Sequence, residues 1–315
     1  MPRRLARLGS RLPLLLFTVA AGFPLRADEG LQHFVDRLMR ATQGSVIVSE
    51  PCSGRVLAVW NQQVAFRQAF PPGSTAKLIV SAAVLEEGVI TPSQSIICRR
   101  VPRLLGDSFH CSHPRADEPY CMAAAIANSC NYFFSEVSSR LTTSALAHWY
   151  AAFGFGAPGE VRIRDTPRSR ALAALGAEGV RVTPAHLLMA YSALATGGKV
   201  WALVVTGEQQ APWVARVVPL KKTTLEVLSQ GLRECVDNGT CRSAAVTDVS
   251  LAGKTGTAAA LDGSRTTHGW FVGYAPSDEP EVAVVVFLNR GSGGDAAPLA
   301  AQILHHYFAQ KRGAP

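Results

Sequence analysis

Charged residues are scarce in this chain of 315 residues, and internal repeats and low-complexity tracts are absent. Asp, Glu, Lys and Arg together make up 17% of the sequence, whereas 48% of the residues are apolar. The lack of a repeat excludes a solenoid, and the apolar fraction is enough to bury a large core. This length and composition predict one domain of two lobes rather than several separate domains.

Acidic residues are absent before Asp28, whereas four arginines lie among the first 11 residues. An apolar run follows at Leu12–Leu25, and it is shorter than the roughly 20 residues that a membrane span needs. A basic start, an apolar run and a small residue at Ala27 predict a secretory signal peptide over residues 1–27. An uncleaved membrane anchor is the alternative. No other run is long enough to span, so we expect an exported protein, in the periplasm or at the extracytoplasmic face of the membrane.

Most of the positive charge belongs to this predicted signal. The formal net charge is +8, but residues 1–27 contain five arginines and no acidic residue, so the remainder carries +3. The charge therefore gives no reason to expect a nucleic-acid partner.

Seven cysteines in an exported chain suggest disulfides. Two pairs could close short loops: Cys235 with Cys241 and Cys98 with Cys111. Cys130 is expected to be a buried thiol, and Cys52 and Cys121 have no assigned partner. The odd number leaves at least one free thiol unless two chains are cross-linked.

A zinc site is the alternative use of these cysteines. His110-Cys111-Ser112-His113 combines thiol and imidazole groups, with Cys98 and Cys121 nearby in the sequence. Structural zinc sites usually present paired ligands at tighter spacing, such as Cys-x2-Cys. The spacing therefore favours disulfides or free thiols, and we expect no metal and no other cofactor.

The spacing of apolar residues predicts strands near both ends of the chain and helices between them. Strands are expected at 45–49, 55–61, 246–257, 267–274 and 281–289. Helices are expected at 29–42, 74–87, 121–139, 143–153, 184–196, 222–237 and 295–310, with an irregular connection at 154–182.

Pairing of the terminal strands would give an α+β fold, in which helices flank an antiparallel sheet and a mainly helical second lobe lies beside it. We place the sheet lobe at about 28–65 and 241–315 and the helical lobe at about 66–240. A cleft between such lobes is the expected substrate site.

Ser74-Thr75-Ala76-Lys77 combines a nucleophile with an adjacent amine. The motif begins a predicted helix, so Lys77 lies one turn from Ser74 on the same face. A serine hydroxyl needs a base within hydrogen-bond reach, and burial can lower a lysine pKa enough for lysine to serve. The helix start would add a backbone N–H group for an oxyanion. The structural alternative is an N-cap serine followed by a solvated lysine.

Two further motifs would complete an acyl-transfer site. In Ser129-Cys130-Asn131 the serine would pass a proton to a leaving nitrogen and the asparagine would hold a substrate amide, whereas a plain helix break is the structural alternative. Lys254-Thr255-Gly256-Thr257 follows Gly253 on a predicted strand, where glycines let a peptide backbone approach and the lysine would meet a carboxylate. A phosphate-binding P-loop would need glycine at the position of Asp248.

Together the three motifs match the serine–lysine signature of penicillin-binding proteins and serine β-lactamases. The chain resembles the transpeptidase domain of penicillin-binding proteins, class B in particular, over about residues 30–310. Further similar segments are Phe153-Gly154-Phe155-Gly156, Val182-Thr183-Pro184, Gly197-Gly198-Lys199 and His268–Pro276.

In that family the motif serine attacks the D-Ala-D-Ala carbonyl of a peptidoglycan stem peptide, and penicillins acylate the same serine. The resemblance implies four catalytic residues: Ser74 as nucleophile, Lys77 as its base, Ser129 as proton relay and Lys254 as a source of positive potential. The implied substrate contacts are Asn131, Thr255, Gly256 and Thr257. The implied oxyanion hole consists of the backbone N–H groups of Ser74 and Thr257.

Two departures from the family pattern narrow these expectations. Class B proteins usually carry a pedestal domain and an anchor, whereas only about 45 residues separate the predicted cleavage site from Ser74. We therefore expect no pedestal, and this counts against an assembly role beside a glycosyltransferase. Residues 154–182 contain no Glu-x-x-Leu-Asn, the deacylating segment of class A β-lactamases, because neither Glu160 nor Glu178 is followed by that pattern. Fast β-lactam hydrolysis by that route is not expected, although class D enzymes use a carboxylated lysine instead.

The sequence thus predicts a serine D,D-transpeptidase that acts on D-Ala-D-Ala of stem peptides and is acylated by penicillin. A D,D-carboxypeptidase and a β-lactamase are the nearest alternatives. A non-catalytic β-lactam sensor or cell-wall-binding module is the alternative from another class. Expected partners are stem peptides, β-lactam antibiotics and other proteins of cell-wall synthesis.

Overall fold

A computed structural model describes residues 28–114, 117–155, 161–205, 211–260 and 262–313. The predicted signal at 1–27 and Glu160 lie outside the described residues. The strands are β1 Gly44–Ser49, β2 Val56–Trp60, β3 Ile96–Ile97, β4 Pro119–Tyr120, β5 Lys199–Trp201, β6 Val214–Val217, β7 Ala252–Ala259, β8 Thr267–Ala275 and β9 Val282–Leu288. The helices are α1 Glu29–Met39, α2 Gln62–Arg67, α3 Lys77–Glu86, α4 Met122–Ala127, α5 Asn131–Ser138, α6 Thr143–Ala152, α7 Pro167–Ala174, α8 Pro184–Ala195, α9 Lys222–Asp237 and α10 Gly293–Gly313.

The terminal strands pair into one antiparallel sheet, which confirms the predicted α+β fold. The strand order is β2-β1-β9-β8-β7, so the first strand of the chain lies between β2 and the last strand. Val46 faces Val286 across the β1–β9 ladder. Both strands are buried along their whole length, which explains why Val46–Val48 and Val282–Leu288 are continuous apolar runs rather than alternating patterns. Strand β7, which carries the third motif, forms one edge of the sheet, and β2 forms the other.

Helices cover both faces of this sheet. On one face α1 and α10 pack together, and the buried stripe of α1 consists of Leu31, Val35 and Met39. On the other face α8 packs against β1, β8 and β9 and joins the core of the helical region. No helix among the described ranges is long and apolar enough to cross a membrane.

The structure adds α2 and the short strands β3–β6 to the predicted elements, and three predicted segments differ from it. The connection at 154–182 contains α7, which begins with Thr166 as N-cap and Pro167 in its first turn; this start signal was present in the sequence. The predicted helix at 121–139 is two helices, because Ser129 adopts a left-handed backbone with φ of 54°. The strand predicted from 246 begins at Ala252, because Val246 and Val249 close a turn.

The cysteines follow the sequence prediction only in part. Cys235 and Cys241 form a disulfide with a Cα–Cα distance of 5.0 Å, as predicted. The predicted Cys98–Cys111 bridge is wrong in this structure, since the two sulfur atoms lie 3.7 Å apart. Cys130 is a buried thiol, as expected, and lies 3.8 Å from Cys111.

Candidate active site

Ser74 lies on a tight 3-10 turn, Gly73–Ala76, that leads directly into α3. Gly73 has φ of +55°, a backbone conformation that favours glycine. Both sides of the turn are anchored. The carbonyl of Pro71 accepts a hydrogen bond from the indole N–H of Trp270 at 3.0 Å, and the carbonyl of Thr75 accepts one from the Tyr191 hydroxyl at 2.9 Å. The turn is therefore held from the sheet and from α8 at once.

Lys77 is fully buried and joins the first two motifs. Its Nζ lies 3.0 Å from Ser74 Oγ and 3.0 Å from Ser129 Oγ. It also lies 2.8 Å from the Ser129 carbonyl oxygen and 2.6 Å from Asn131 Oδ1. The solvated-lysine alternative is wrong, because this amine faces four oxygen atoms within 3.0 Å.

The oxygen atoms around Lys77 are compatible with a neutral amine. Four oxygens surround Nζ, and the two serine hydroxyls among them can donate as well as accept. A neutral amine would donate to the Ser129 carbonyl and to Asn131 Oδ1 and accept from one serine hydroxyl. Burial lowers the pKa of Lys77 to about 8. The neutral form is therefore accessible close to neutral pH.

The break between α4 and α5 aims the second motif at Lys77. Ser129 has a positive φ of 54°, which is rare for a residue with a side chain and is found at functional sites more often than elsewhere. Asn131 begins α5, and its Nδ2 donates to the Phe109 carbonyl at 3.2 Å. That bond fixes the amide so that its oxygen faces Lys77.

Strand β7 places the third motif against the turn Gly73–Ala76, which we call the nucleophile turn after the predicted role of Ser74. A β-carbon at Gly73 would lie 2.5 Å from the carbonyl oxygen of Thr257, and one at Gly256 would lie 2.8 Å from that of Pro72. Only glycine permits such an approach of two backbones. The Thr257 hydroxyl accepts a hydrogen bond from the N–H of Gly293 at 3.0 Å.

Lys254 is buried beside a residue that the sequence did not single out. Its Nζ donates to the Thr255 carbonyl at 3.2 Å and to Thr240 Oγ1 at 3.4 Å. Burial, and then the charge of Lys77, hold the pKa of Lys254 well below its usual value. Thr240 also accepts a hydrogen bond from the Thr255 hydroxyl at 3.2 Å. The only sequence signal for Thr240 is its place next to Cys241, in the turn that the disulfide closes.

The predicted site residues thus form two contiguous groups. Ser74, Lys77, Ser129 and Asn131 are joined through the Lys77 amine, and Lys254 and Thr255 are joined through Thr240. Gly256 and Thr257 connect the groups through their backbone contacts with the nucleophile turn.

The penicillin binding protein transpeptidase domain model matches residues 44–305 of this chain. The chain belongs to this family. The match includes all three motifs and every strand of the five-stranded sheet. The mixed architecture of the chain is accordingly that of a penicillin-binding transpeptidase domain.

The curated relatives include peptidoglycan D,D-transpeptidases. Haemophilus influenzae MrdA is 24% identical over 91% of this chain and 56% of its own length. Mycobacterium tuberculosis PbpA is 27% identical over 76% of this chain and 55% of its own length. This penicillin-binding transpeptidase domain therefore spans about half the length of the curated relatives it matches.

Solved structures show the same fold. The transpeptidase domain of Burkholderia pseudomallei penicillin-binding protein 3 has a TM-score of 0.79 at 22% identity, over 93% of this chain and 97% of that one. Penicillin-binding protein A of M. tuberculosis, solved as an imipenem acyl-enzyme complex, has a TM-score of 0.76 at 20% identity, over 90% of this chain and 79% of that one.

Proposed function

We propose that this chain acts as a serine D,D-transpeptidase on the D-Ala-D-Ala end of peptidoglycan stem peptides. One observation carries the proposal: a fully buried lysine amine lies 3.0 Å from each of two serine hydroxyls, Ser74 and Ser129. A serine next to a desolvated amine is the arrangement that activates a hydroxyl for attack on a carbonyl.

The proposed acylation begins with transfer of the Ser74 proton to neutral Lys77. Ser74 Oγ bonds to the carbonyl carbon between the two D-alanines, and the backbone N–H groups of Ser74 and Thr257 stabilise the oxyanion. Ser129 donates its proton to the leaving nitrogen and regains one from Lys77. The C–N bond breaks, D-alanine leaves, and Ser74 carries the acyl group as an ester. The amine of a second stem peptide then attacks the ester and restores the Ser74 hydroxyl.

The proposed substrate contacts come from the other side of the cleft. The terminal carboxylate would bind near Lys254 and the Thr255 and Thr257 hydroxyls, where a second buried lysine supplies positive potential. A substrate strand would pair with the outer edge of β7, the last strand in the order of the sheet, beside Gly256. Asn131 would hold a substrate amide, since its position is already fixed by Phe109.

The location, the domain bounds and the partners of the protein are also part of this proposal. We take residues 1–27 as a signal peptide and residues 28–315 as the transpeptidase domain, with the two lobes as predicted. Peptidoglycan lies outside the cytoplasm, so an enzyme acting on stem peptides must reach the extracytoplasmic side. β-Lactams would acylate Ser74, and other cell-wall synthesis proteins are the expected partners.

Intact-protein mass spectrometry with a penicillin tests the nucleophile. We expect a stable adduct on the wild-type chain and none on Ser74→Ala. Ser139→Ala, at the end of α5 and away from the lysine, should be labelled like wild type. Absence of an adduct on folded wild-type protein would overturn the enzyme function and favour a sensor or binding module.

The reaction outcome is tested with a D-Ala-D-Ala stem peptide and a D-amino acid acceptor. Chromatography should detect the new amide, the transpeptidase product. Hydrolysis of the terminal D-alanine alone would favour the carboxypeptidase alternative. Rapid turnover of the penicillin, with loss of the adduct in minutes, would favour a β-lactamase.

A further inference from the structure

Four buried side chains that the proposed catalysis does not use converge next to the second motif. They are Cys98, Cys111, His113 and Cys130, and each is 5% exposed or less. Their three sulfur atoms and one imidazole nitrogen all lie within 4.8 Å of one another. The ligands come from three places: Cys98 directly follows β3, Cys111 and His113 lie further along the connection between β3 and β4, and Cys130 lies at the break between α4 and α5.

In this cluster, which we name the thiol cluster, three of the six distances between ligand atoms match the edges of a metal tetrahedron, and all six are within 4.8 Å. Cys98 Sγ lies 3.7 Å from Cys111 Sγ and 3.6 Å from His113 Nε2, and Cys111 Sγ lies 3.8 Å from Cys130 Sγ. Four ligands around Zn²⁺, with Zn–S of about 2.3 Å and Zn–N of about 2.0 Å, lie about 3.5–3.8 Å apart. A disulfide would require sulfur atoms about 2 Å apart.

The surroundings of the thiol cluster are those of bound thiolates. Each sulfur faces one backbone N–H: Arg100 N lies 3.4 Å from Cys98, Tyr132 N lies 3.3 Å from Cys111, and Phe133 N lies 3.5 Å from Cys130. These donors stabilise negative charge on sulfur.

The histidine is held by a second contact of the kind that orients metal ligands. His113 Nδ1 lies 2.9 Å from the Tyr120 hydroxyl. With Nδ1 bonded to Tyr120, Nε2 is left to face the sulfur atoms. A hydrogen bond to the other ring nitrogen fixes the tautomer of a metal-bound histidine in this way.

We propose that the thiol cluster binds one zinc ion through three thiolates and Nε2 of His113. Three sulfur ligands and one imidazole select Zn²⁺ over Mg²⁺, Ca²⁺ or Mn²⁺, which prefer oxygen. Four protein ligands leave no position for water or substrate, so the ion is structural. The prediction from sequence spacing that no metal binds here is replaced by this proposal.

The zinc ion would fix the second motif in place. Cys130 lies between Ser129 and Asn131, so a bond to its sulfur holds the backbone of both. The segment between Cys98 and His113 includes Phe109, whose carbonyl accepts the hydrogen bond from Asn131. Loss of zinc would release this segment and slow acylation. This consequence rests on the proposed function, whereas metal binding itself does not.

Metal analysis of the full chain, purified without chelator and under reducing conditions, tests the site. We expect one zinc per chain, lost in Cys98→Ser and in His113→Asn. The matched control is Cys52→Ser, which removes an exposed thiol outside the cluster and should keep its zinc. Replacing zinc with Co²⁺ should give the strong visible bands of tetrahedral cobalt and a sulfur-to-cobalt charge-transfer band in the wild type and Cys52→Ser only.

Two results would overturn the proposal. One is folded wild-type chain that holds less than a tenth of an equivalent of zinc after dialysis against Zn²⁺ and gives no tetrahedral cobalt spectrum. The other is a Cys98–Cys111 disulfide, detected by peptide mapping in the protein as isolated from an oxidising compartment. The effect on catalysis is read separately: penicillin labelling of Ser74 should slow at least tenfold in His113→Asn and stay at wild-type rate in Cys52→Ser. A zinc-free His113→Asn that is labelled at wild-type rate would overturn the coupling between the ion and the second motif.

Discussion

Lys77 carries the chemistry of the site because the fold removes it from water. A charged amine in the protein interior is costly, so burial favours its neutral, basic form. The four oxygens around Nζ belong to Ser74, Ser129 and Asn131, and they supply the hydrogen bonds that replace water. The same amine that is unfavourable for stability is the base that the proposed reaction needs.

Replacing Lys77 with Met should separate these two effects. Acylation by penicillin should slow by roughly 10²–10⁴-fold, the usual contribution of a general base, while Lys222→Met, on the exposed side of α9, should react like wild type. In the wild type, the rate should rise with pH through about 8 as Lys77 loses its proton. Stopped-flow labelling at pH 6 to 10 measures the rates of the variants and the pH dependence of the wild-type rate. A wild-type rate that does not change with pH would contradict the role of Lys77.

The same pKa predicts a stability change with a defined sign. The pKa of about 8 in the folded chain lies below the ordinary lysine pKa of 10.5, so between these pH values the unfolded chain binds more protons. The contribution of Lys77 to the unfolding free energy therefore rises with pH across this window. At pH 7 the buried charge costs about 3 kcal/mol, which offsets the hydrogen bonds lost in Lys77→Met. Denaturant unfolding should give wild type and Lys77→Met similar free energies of unfolding at pH 7, and wild type the larger one at pH 10.

At the scale of elements, the site depends on short connections rather than on the long helices. The turn after α9 is closed by the Cys235–Cys241 disulfide and places Thr240 against Lys254. The break between α4 and α5 places Ser129 against Lys77. In both cases a few residues outside regular structure position a buried lysine or its partner, and helices and strands fix the ends of those segments.

Removing the disulfide should weaken both the fold and the third motif. A disulfide that closes a loop of this length contributes about 2 kcal/mol to the free energy of unfolding. The double variant Cys235→Ser, Cys241→Ser should therefore have a Tm several degrees lower. Freed from the loop, Thr240 should hold Lys254 less well, and penicillin labelling should slow. Thr240→Val keeps the disulfide and should slow labelling without the loss in Tm; equal labelling of Thr240→Val and wild type would contradict its positioning role.

At the scale of the whole molecule, the nucleophile turn is the place where distant parts of the chain meet. The N–H of Gly73 donates to the Gly176 carbonyl at 3.0 Å, and Phe70 pairs with Val182. The indole of Trp270 reaches the same turn from β8. The connection predicted to be irregular is thus a direct support of Ser74.

Gly176→Ala tests this long-range support against a matched control. Gly176 and Gly88 both have left-handed backbones, with φ of +63° and +67°. A β-carbon at Gly176 would collide with the Gly73 carbonyl, whereas one at Gly88 meets nothing within 4 Å. Both alanine variants should lose about 1 kcal/mol from the left-handed backbone, and Gly176→Ala should lose more because its β-carbon meets backbone atoms of Gly73. Only Gly176→Ala should slow labelling of Ser74, by tenfold or more. Equal rates of Ser74 labelling in Gly176→Ala and Gly88→Ala would contradict the role of Gly176 in supporting the turn that carries Ser74.

The sequence by itself determined the three motifs, the pairing of terminal strands and the Cys235–Cys241 bridge. Each was predicted from residues close together in the sequence: a residue order, a run of apolar side chains, or two cysteines flanking a turn. Tertiary structure alone decided that Lys77 faces four oxygens, that Thr240 meets Lys254, and that Gly73 and Gly256 let two backbones touch. It also brought Cys98, Cys111, His113 and Cys130 together. These contacts join segments far apart in the chain, and their distances follow from how the sheet and the helices pack. The spacing of residues along the sequence does not give these distances.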